Sequence, residues 1–327
     1  MNTLSDKITK IELPTPFKVG KVNAYIVKGE KLTLIDCGPK TEEAHRVLVD
    51  HLHAHGISIH DIEQIVLTHY HPDHVGGLGY FDIASLQVIS SEKSIPYLEQ
   101  NEEFYSERKM FYESIYKKMG VSPHLIPAEL EKTNEYLSYS AKIKPDIVLK
   151  DGDEVPGLSG WTVIETPGHS PDHISLFHKE SGVMVGGDFL IAHISSNALI
   201  EPPLQANLPR PKPLLEYRTS FKKVAELGVS IVYSGHGKEI TAVGQLIEER
   251  LEAQDERANR LYELIVGEHT AFELCQKLFS HIYLRELDLT MSETIGHLDL
   301  LEEWGAIAKK DKNGITHYTR TKHGVNT

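Results

Sequence analysis

Four potential metal ligands stand within six consecutive residues of this 327-residue chain. His69, His71, Asp73 and His74 form the pattern His-x-His-x-Asp-His, and residues 64–68 before them, with three consecutive apolar residues, predict a buried strand. In α/β proteins the loops that follow strands carry the chemistry. Such a loop is typical of an α/β fold that gathers metal ligands at strand ends, and it can direct them at more than one metal ion.

Three more predicted strands end next to a residue of the same kind. Their motifs are Gly-His-Ser, Gly-Gly-Asp and Gly-His, and the potential ligands in them are His169, Asp188 and His236. Imidazole and carboxylate ligands without thiolate suit Zn²⁺, Mn²⁺ and Fe²⁺, so residue type alone leaves the metal open.

In this order the motifs resemble the metallo-β-lactamase superfamily, whose signature loop is His-x-His-x-Asp-His after a strand. The resemblance covers about residues 15–240 and includes an early Asp-containing turn at Asp36. It implies two metal ions, a set of three ligands for each ion, and one carboxylate that bridges the two ions. The first ion is held by His69, His71 and His169, the second by Asp73, His74 and His236, and the bridge between them is Asp188.

The same resemblance implies a hydrolytic reaction. Two divalent ions about 3.5–4 Å apart share a bridging water, lower its pKa and polarise a carbonyl or phosphoryl oxygen. The implied nucleophile is a metal-bridging hydroxide. The implied cofactors are two divalent ions, with Zn²⁺ as the first candidate and Mn²⁺ or Fe²⁺ as alternatives. Asp73 is the predicted catalytic residue, because it can also orient the hydroxide or accept its proton.

The expected architecture is α/β, a four-layer αββα sandwich that comprises residues 1–243. Residues 92–140 are rich in Tyr and Phe with helical spacing, and they predict an inserted helical lid over the site. Residues 244–327 read as three helices and a terminal hairpin, which predicts a small winged-helix-like domain. This arrangement is similar to the β-lactamase-like protein 2 branch, whose catalytic half resembles glyoxalase II-type hydrolases.

Charge favours a small substrate over a nucleic acid. The chain has a formal net charge of −13, and residues 246–327 hold ten Lys and Arg against fifteen Asp and Glu. The predicted recognition helix, residues 292–303, contains no Lys or Arg, which disfavours binding to phosphate backbones. The predicted substrate is therefore a small ester, thioester or lactone. A metal-dependent endoribonuclease or phosphodiesterase is the main alternative; iron redox chemistry and a ligand-sensing regulator also remain open.

The remaining expectations concern location and partners. Cys37 and Cys275 are far apart and form no disulfide scaffold, which favours a reducing cytoplasm. No stretch approaches the ~18 apolar residues needed to cross a bilayer, so no membrane attachment is expected. The apolar faces of the C-terminal helices predict packing against the catalytic domain or a second copy in a homodimer.

Overall fold

The computed structural model describes residues 4–205 and 208–322. The outer ends of the two predicted domains, residues 1–3 and 323–327, lie outside the described residues. Two sheets form the centre of the molecule. The first has six strands in the order β1 (Ile8–Leu13), β2 (Val22–Lys28), β3 (Leu32–Ile35), β4 (Gln64–Val66), β5 (Gln87–Ser91) and β6 (Ile147–Leu149). The second has four, in the order β10 (Ile231–Ser234), β9 (Val183–Gly187), β8 (Ile174–His178) and β7 (Trp161–Glu165).

Alternation along the strands divides the apolar residues between two faces of each sheet. In β3, Leu34 packs on the outer face while Ile35 packs between the sheets, and Ile65 and Val66 of β4 do the same. This period of two is the geometry of a strand. A buried cluster that includes Trp161 joins the two sheets face to face.

Helices cover the outer faces of both sheets. Helix α1 (Glu42–Ala54) packs on the first sheet, and its N-terminus is capped by Thr41, which accepts a hydrogen bond from the Ala44 N–H. Helix α6 (Pro213–Glu226) packs on the second sheet. The layers therefore run helix, sheet, sheet, helix, and the predicted mixed α/β fold is confirmed.

Two longer helices occupy the segment that the sequence predicts as an insertion. The helices of this segment are α3 (Ile95–Leu98), α4 (Glu102–Lys118) and α5 (Ile126–Ser138). Ile115 and Tyr116 of α4 are buried in the same apolar cluster as α6. The role of this helical segment as a lid stays a prediction.

The C-terminal part of the chain shares that cluster with the second sheet. It contains α7 (Val243–Leu264), β11 (His269–Thr270), α8 (Ala271–Leu278), α9 (Leu287–Glu303), β12 (Ile307–Lys312) and β13 (Ile315–Arg320). The three strands form a sheet in the order β11-β13-β12. Because the cluster is continuous across the predicted boundary at residue 243, the division into two domains stays a prediction, as does the winged-helix-like character of the second.

The predicted recognition helix is not a surface helix. Helix α9 starts at Leu287, and nearly all of its residues from Thr290 to Leu301 are buried. Its neighbours are α6, α7 and α8, which cover it from several sides. Its apolar residues Ile295, Leu298 and Leu301 are buried in the cluster that also contains α6, and the polar Thr294 and His297 beside them are buried as well. Within the described ranges, no helix combines the length and apolarity that crossing a membrane requires.

Candidate metal centre

All seven predicted ligands lie at one edge of the two sheets. The parallel strands β3 and β4 both end there, and β4 leads to His69 through Thr68. His71 precedes the short helix α2 (Pro72–Val75), which begins with proline, a residue suited to the first turn, and carries Asp73 and His74. The second sheet contributes the ends of β7, β9 and β10, which lead to His169, Asp188 and His236.

The side chains converge in three overlapping groups. Within each group the potential ligand atoms lie no more than 4.8 Å apart. Two of the groups are the sets that the resemblance implies for the two metal ions, and the third joins Asp188 to one histidine from each set. The groups are His69, His71 and His169; Asp73, His74 and His236; and His69, His74 and Asp188.

Asp36 determines which nitrogen of two of these histidines carries the proton. Its Oδ2 lies 2.7 Å from His74 Nδ1 and accepts a hydrogen bond of 2.8 Å from the Thr68 hydroxyl. A carboxylate only accepts, so His74 Nδ1 is protonated. Because the Thr68 hydrogen is already donated to Asp36, His69 Nδ1, 3.0 Å from Thr68 Oγ1, must donate as well. Both Nε2 lone pairs therefore face the site.

Backbone carbonyl oxygens determine which nitrogen carries the proton in two more histidines. His169 Nδ1 lies 3.0 Å from the Asn197 carbonyl oxygen, and His236 Nδ1 lies 2.7 Å from that of Lys21. Each Nδ1 must donate, which directs the Nε2 lone pair to the site. Hydrogen bonds of this kind orient the imidazoles of protein metal sites.

The resulting arrangement fits cations. His71 Nδ1 lies 3.0 Å from His69 Nε2 and 2.9 Å from His169 Nε2, and a single proton cannot satisfy both contacts. Among the described side chains, His74 Nε2, His236 Nε2 and Asp188 Oδ1 are buried without a hydrogen-bond partner. Unpaired buried polar atoms are costly. Five imidazoles and two carboxylates brought together in this way could hold divalent metal ions.

Burial and neighbouring charges divide the histidines into two kinds. Burial, together with the adjacent imidazoles, holds the pKa of His69 and His71 well below its usual range, and both stay neutral. Burial alone would lower the pKa of His236, but Asp188 and Asp73 raise it to about 10. The His74 and His236 imidazoles hold the pKa of Asp188 well below its usual range despite burial. Binding of cations here would displace protons.

Two supporting residues carry weak signals in the sequence. His173 lies between the ligand motifs, and its Nε2 accepts a 3.0 Å hydrogen bond from the Asp188 backbone N–H, while its Nδ1 lies 2.8 Å from Thr166 Oγ1. Gly235 leaves space for the metal centre, because a Cβ on it would overlap Asp188 Oδ1. Cys37 is buried in the apolar cluster under α1 and contributes no ligand atom to the three groups.

A cavity of about 220 Å³ adjoins the centre. His71, the one partly exposed side chain of the three groups, forms part of its wall. Much of the remaining wall is aromatic or aliphatic and comes from α4, α5 and α9. In this wall Arg108 makes a 2.6 Å ion pair with Glu201, whose carboxylate also accepts a 2.7 Å hydrogen bond from Tyr70. The pair is buried and internally satisfied.

Comparison with known proteins agrees with this geometry. Residues 17–236 match the family described as the metallo-beta-lactamase superfamily. The chain is 40% identical over 319 residues to "Probable metallo-hydrolase YqjP" of Bacillus subtilis, covering 97% of this chain and 99% of the relative. It is 27% identical to "Beta-lactamase-like protein 2 homolog" of Caenorhabditis elegans, covering 80% of this chain and 72% of that protein.

A solved structure extends the likeness over nearly the whole chain. A metallo-beta-lactamase family protein of Thermus thermophilus superposes with a TM-score of 0.80 at 27% identity, covering 96% of this chain and 99% of that one. The name of the Bacillus relative confirms the enzyme class that the sequence predicts, a metal-dependent hydrolase. With its ligand motifs at the strand ends and its matched residues spanning both sheets, the chain belongs to the metallo-beta-lactamase superfamily.

Proposed function

We propose that this protein hydrolyses a small ester, thioester or lactone with two divalent metal ions, for which Zn²⁺ is the first candidate. The observation that supports this is the position of the candidate metal centre at the end of a mainly apolar cavity. When bound, the metal ions activate a water molecule and polarise the carbonyl oxygen of the substrate. The cavity then has to hold the substrate and exclude bulk water.

The residues of this chain supply orientation and proton transfer. Asp188 lies between the two ligand groups, 3.3 Å from His74 Nε2 and 3.6 Å from His169 Nε2, and from this position its carboxylate would help to hold both metal ions. Asp73 Oδ2 lies 3.4 Å from His236 Nε2. We assign two roles to Asp73. One of its carboxylate oxygens would bind a metal ion, and the carboxylate would also accept a proton from the attacking water.

The charges of the cavity favour acyl substrates over phosphodiesters. Among the described residues of its wall, the two cations Arg108 and Lys132 are each paired, with Glu201 and Glu129 respectively. Asp288 adds a further negative charge to the wall. A polyanion would therefore meet, in this part of the structure, a surface without free positive charge.

The surroundings of the site support further proposals. We assign α4 and α5 to a lid, and the part after residue 243 to a winged-helix-like domain whose role is packing or dimerisation. The burial of α9 argues against its use in a DNA groove. Cys37 and Cys275 are free and buried, which is compatible with the proposed cytoplasmic location.

The test is metal analysis of the loaded protein followed by one substrate screen. We expect two ions per chain and hydrolysis of acyl substrates, with Asp188→Ala reducing the content of both ions. One ion per chain would contradict the binuclear centre. Hydrolysis confined to RNA or to phosphodiesters would replace the acyl substrate by the phosphodiester alternative.

A further inference from the structure

The cavity beside the candidate metal centre continues away from it in one direction. The segment after Asn197 forms its first part: the Leu199 N–H donates to the His169 carbonyl oxygen over 3.5 Å, next to the centre. The next residue, Ile200, accepts a 2.6 Å hydrogen bond from the Tyr112 hydroxyl, and its N–H donates to Ser292 Oγ over 3.2 Å. The cavity thus passes from the centre to α4 and α9.

One helical turn further along both helices, the wall of the cavity includes charged side chains. Tyr116 follows Tyr112 on α4, and Asp288 precedes Ser292 on α9, a step of about 6 Å along each axis. At this level Leu289 also lines the cavity. Because Leu289 belongs to the C-terminal part of the chain, that part contributes directly to the wall of the proposed substrate site.

Charged side chains bound this second part of the cavity. Glu129 and Lys132 of α5 form a 2.9 Å ion pair, and Asp288 lies near enough for the carboxylates to repel each other. Burial, followed by this repulsion, raises the pKa of Glu129. Burial raises the pKa of Asp288 as well. An apolar group that extended to this level would remove further water from the charges, at a cost in free energy.

We propose that the cavity binds the unbranched acyl chain of the substrate and selects medium chain length. Aromatic and aliphatic side chains around Leu199 and Leu289 bury the chain, and the cluster of Glu129, Lys132 and Asp288 excludes longer ones. Leu289 is then a specificity-determining residue that the C-terminal part supplies. The proposal rests on the proposed acyl hydrolase and names its substrate class.

Kinetics on N-acetylcysteamine thioesters of acetate, octanoate and palmitate test the length selection, since these substrates carry no phosphate. We expect kcat/KM for octanoyl to exceed that for acetyl by at least about tenfold, which two buried methylene groups suffice to provide. Palmitoyl should fall below octanoyl. Leu289→Trp fills the cavity and should reduce the octanoyl-to-acetyl ratio about tenfold, whereas Leu284→Trp, at a leucine 60% exposed, should retain it.

Two further measurements separate the possible failures. Octan-1-ol should bind the metal-free protein in a calorimetric titration and should not bind Leu289→Trp. If Leu289→Trp does not fold, Asp288→Leu provides the test, because removing this charge should raise the palmitoyl-to-octanoyl ratio. Hydrolysis without chain preference, or octanol binding that Leu289→Trp leaves intact, would overturn the acyl cavity. No hydrolysis of any thioester, ester or lactone, with octanol still bound, would overturn only the proposed function.

Discussion

Asp36→Asn should weaken both metal positions with one substitution. Asp36 is 2% exposed and has a φ of 56°, a backbone conformation that Asn adopts more readily than most residues. The variant therefore changes one acceptor oxygen into a donor NH₂ and little else. If the NH₂ faces His74 and Thr68, His74 Nδ1 becomes an acceptor, and the Thr68 hydroxyl is free to donate to His69. Both histidines then carry their protons on Nε2.

The size of the effect follows from these contacts. Loss of a residue that orients a metal-ligating histidine typically costs about 10–100-fold in metal affinity. His69 belongs to the group with His71 and His169, and His74 to the group with Asp73 and His236, so we expect this loss at each position. If the amide turns the other way, its NH₂ faces the Thr68 N–H, which now donates over 2.8 Å to Asp36 Oδ1. A buried donor without an acceptor costs about 1–3 kcal/mol of the free energy of unfolding.

Competition with a chromophoric chelator measures the affinity for each ion, and urea unfolding of the metal-free protein measures the stability. Asp311→Asn is the matched control, because the Asp311 carboxylate accepts from the Gly314 N–H in an exposed turn far along the chain from the centre. A loss of affinity for only one of the two ions would refute the link from Asp36 through Thr68 to His69. Unchanged affinity for both ions, with stability reduced, would leave Asp36 a purely structural residue.

Three further predictions test separate parts of the structure. Gly235→Ala should displace Asp188 and lower metal content in a protein with unchanged circular dichroism; full metal content would contradict the close approach. Arg108→Ala leaves Glu201 buried without its partner and should lower the free energy of unfolding by about 3–5 kcal/mol, whereas replacing the pair by Met and Leu should cost less; equal losses in urea would contradict this. Burial raises the pKa of Asp172 to about 6, so the folded chain binds this proton more tightly than the unfolded one. The free energy of unfolding should fall by about 2 kcal/mol from about pH 4 to pH 6, and Asp172→Asn should remove that slope; a slope that persists in the variant would assign it to other groups.

The ligand positions could be predicted because they depend on short motifs. Strand, glycine and ligand follow one another within a few residues at Gly168-His169 and Gly235-His236, and the structure brings both histidines to the same edge. Their hydrogen-bond partners could not be predicted in this way. Asn197 and Lys21 act through backbone carbonyl oxygens, which any residue possesses. Only the fold determines which carbonyl reaches which imidazole.

Long-range packing accounts for what the sequence analysis missed. The sequence predicts α9 as a recognition helix, a kind of helix that exposes one face, and its polar residues include Thr294 and His297. Both are buried: the Thr294 hydroxyl donates to the Thr290 carbonyl oxygen one turn earlier, and His297 Nδ1 lies 2.7 Å from that of Glu293. The Thr294 hydroxyl and the His297 Nδ1 therefore need no water as a partner, although His297 Nε2 is buried without a hydrogen-bond partner. Their polarity therefore carries no information about exposure.

The candidate metal centre draws on both sheets, so its geometry depends on how the sheets are held together. Apolar packing between the sheets is not directional and cannot alone align two sets of ligands. Hydrogen bonds at the ligand edge supply direction: the Tyr25 hydroxyl and the Asn23 side chain both donate to the Ser234 carbonyl oxygen, over 2.6 and 2.8 Å. The Asn23 backbone N–H donates to the Gly235 carbonyl oxygen over 2.7 Å. Strand β2 thus holds the end of β10 immediately before His236, and the two halves of the ligand set keep one relative position because these bonds join them.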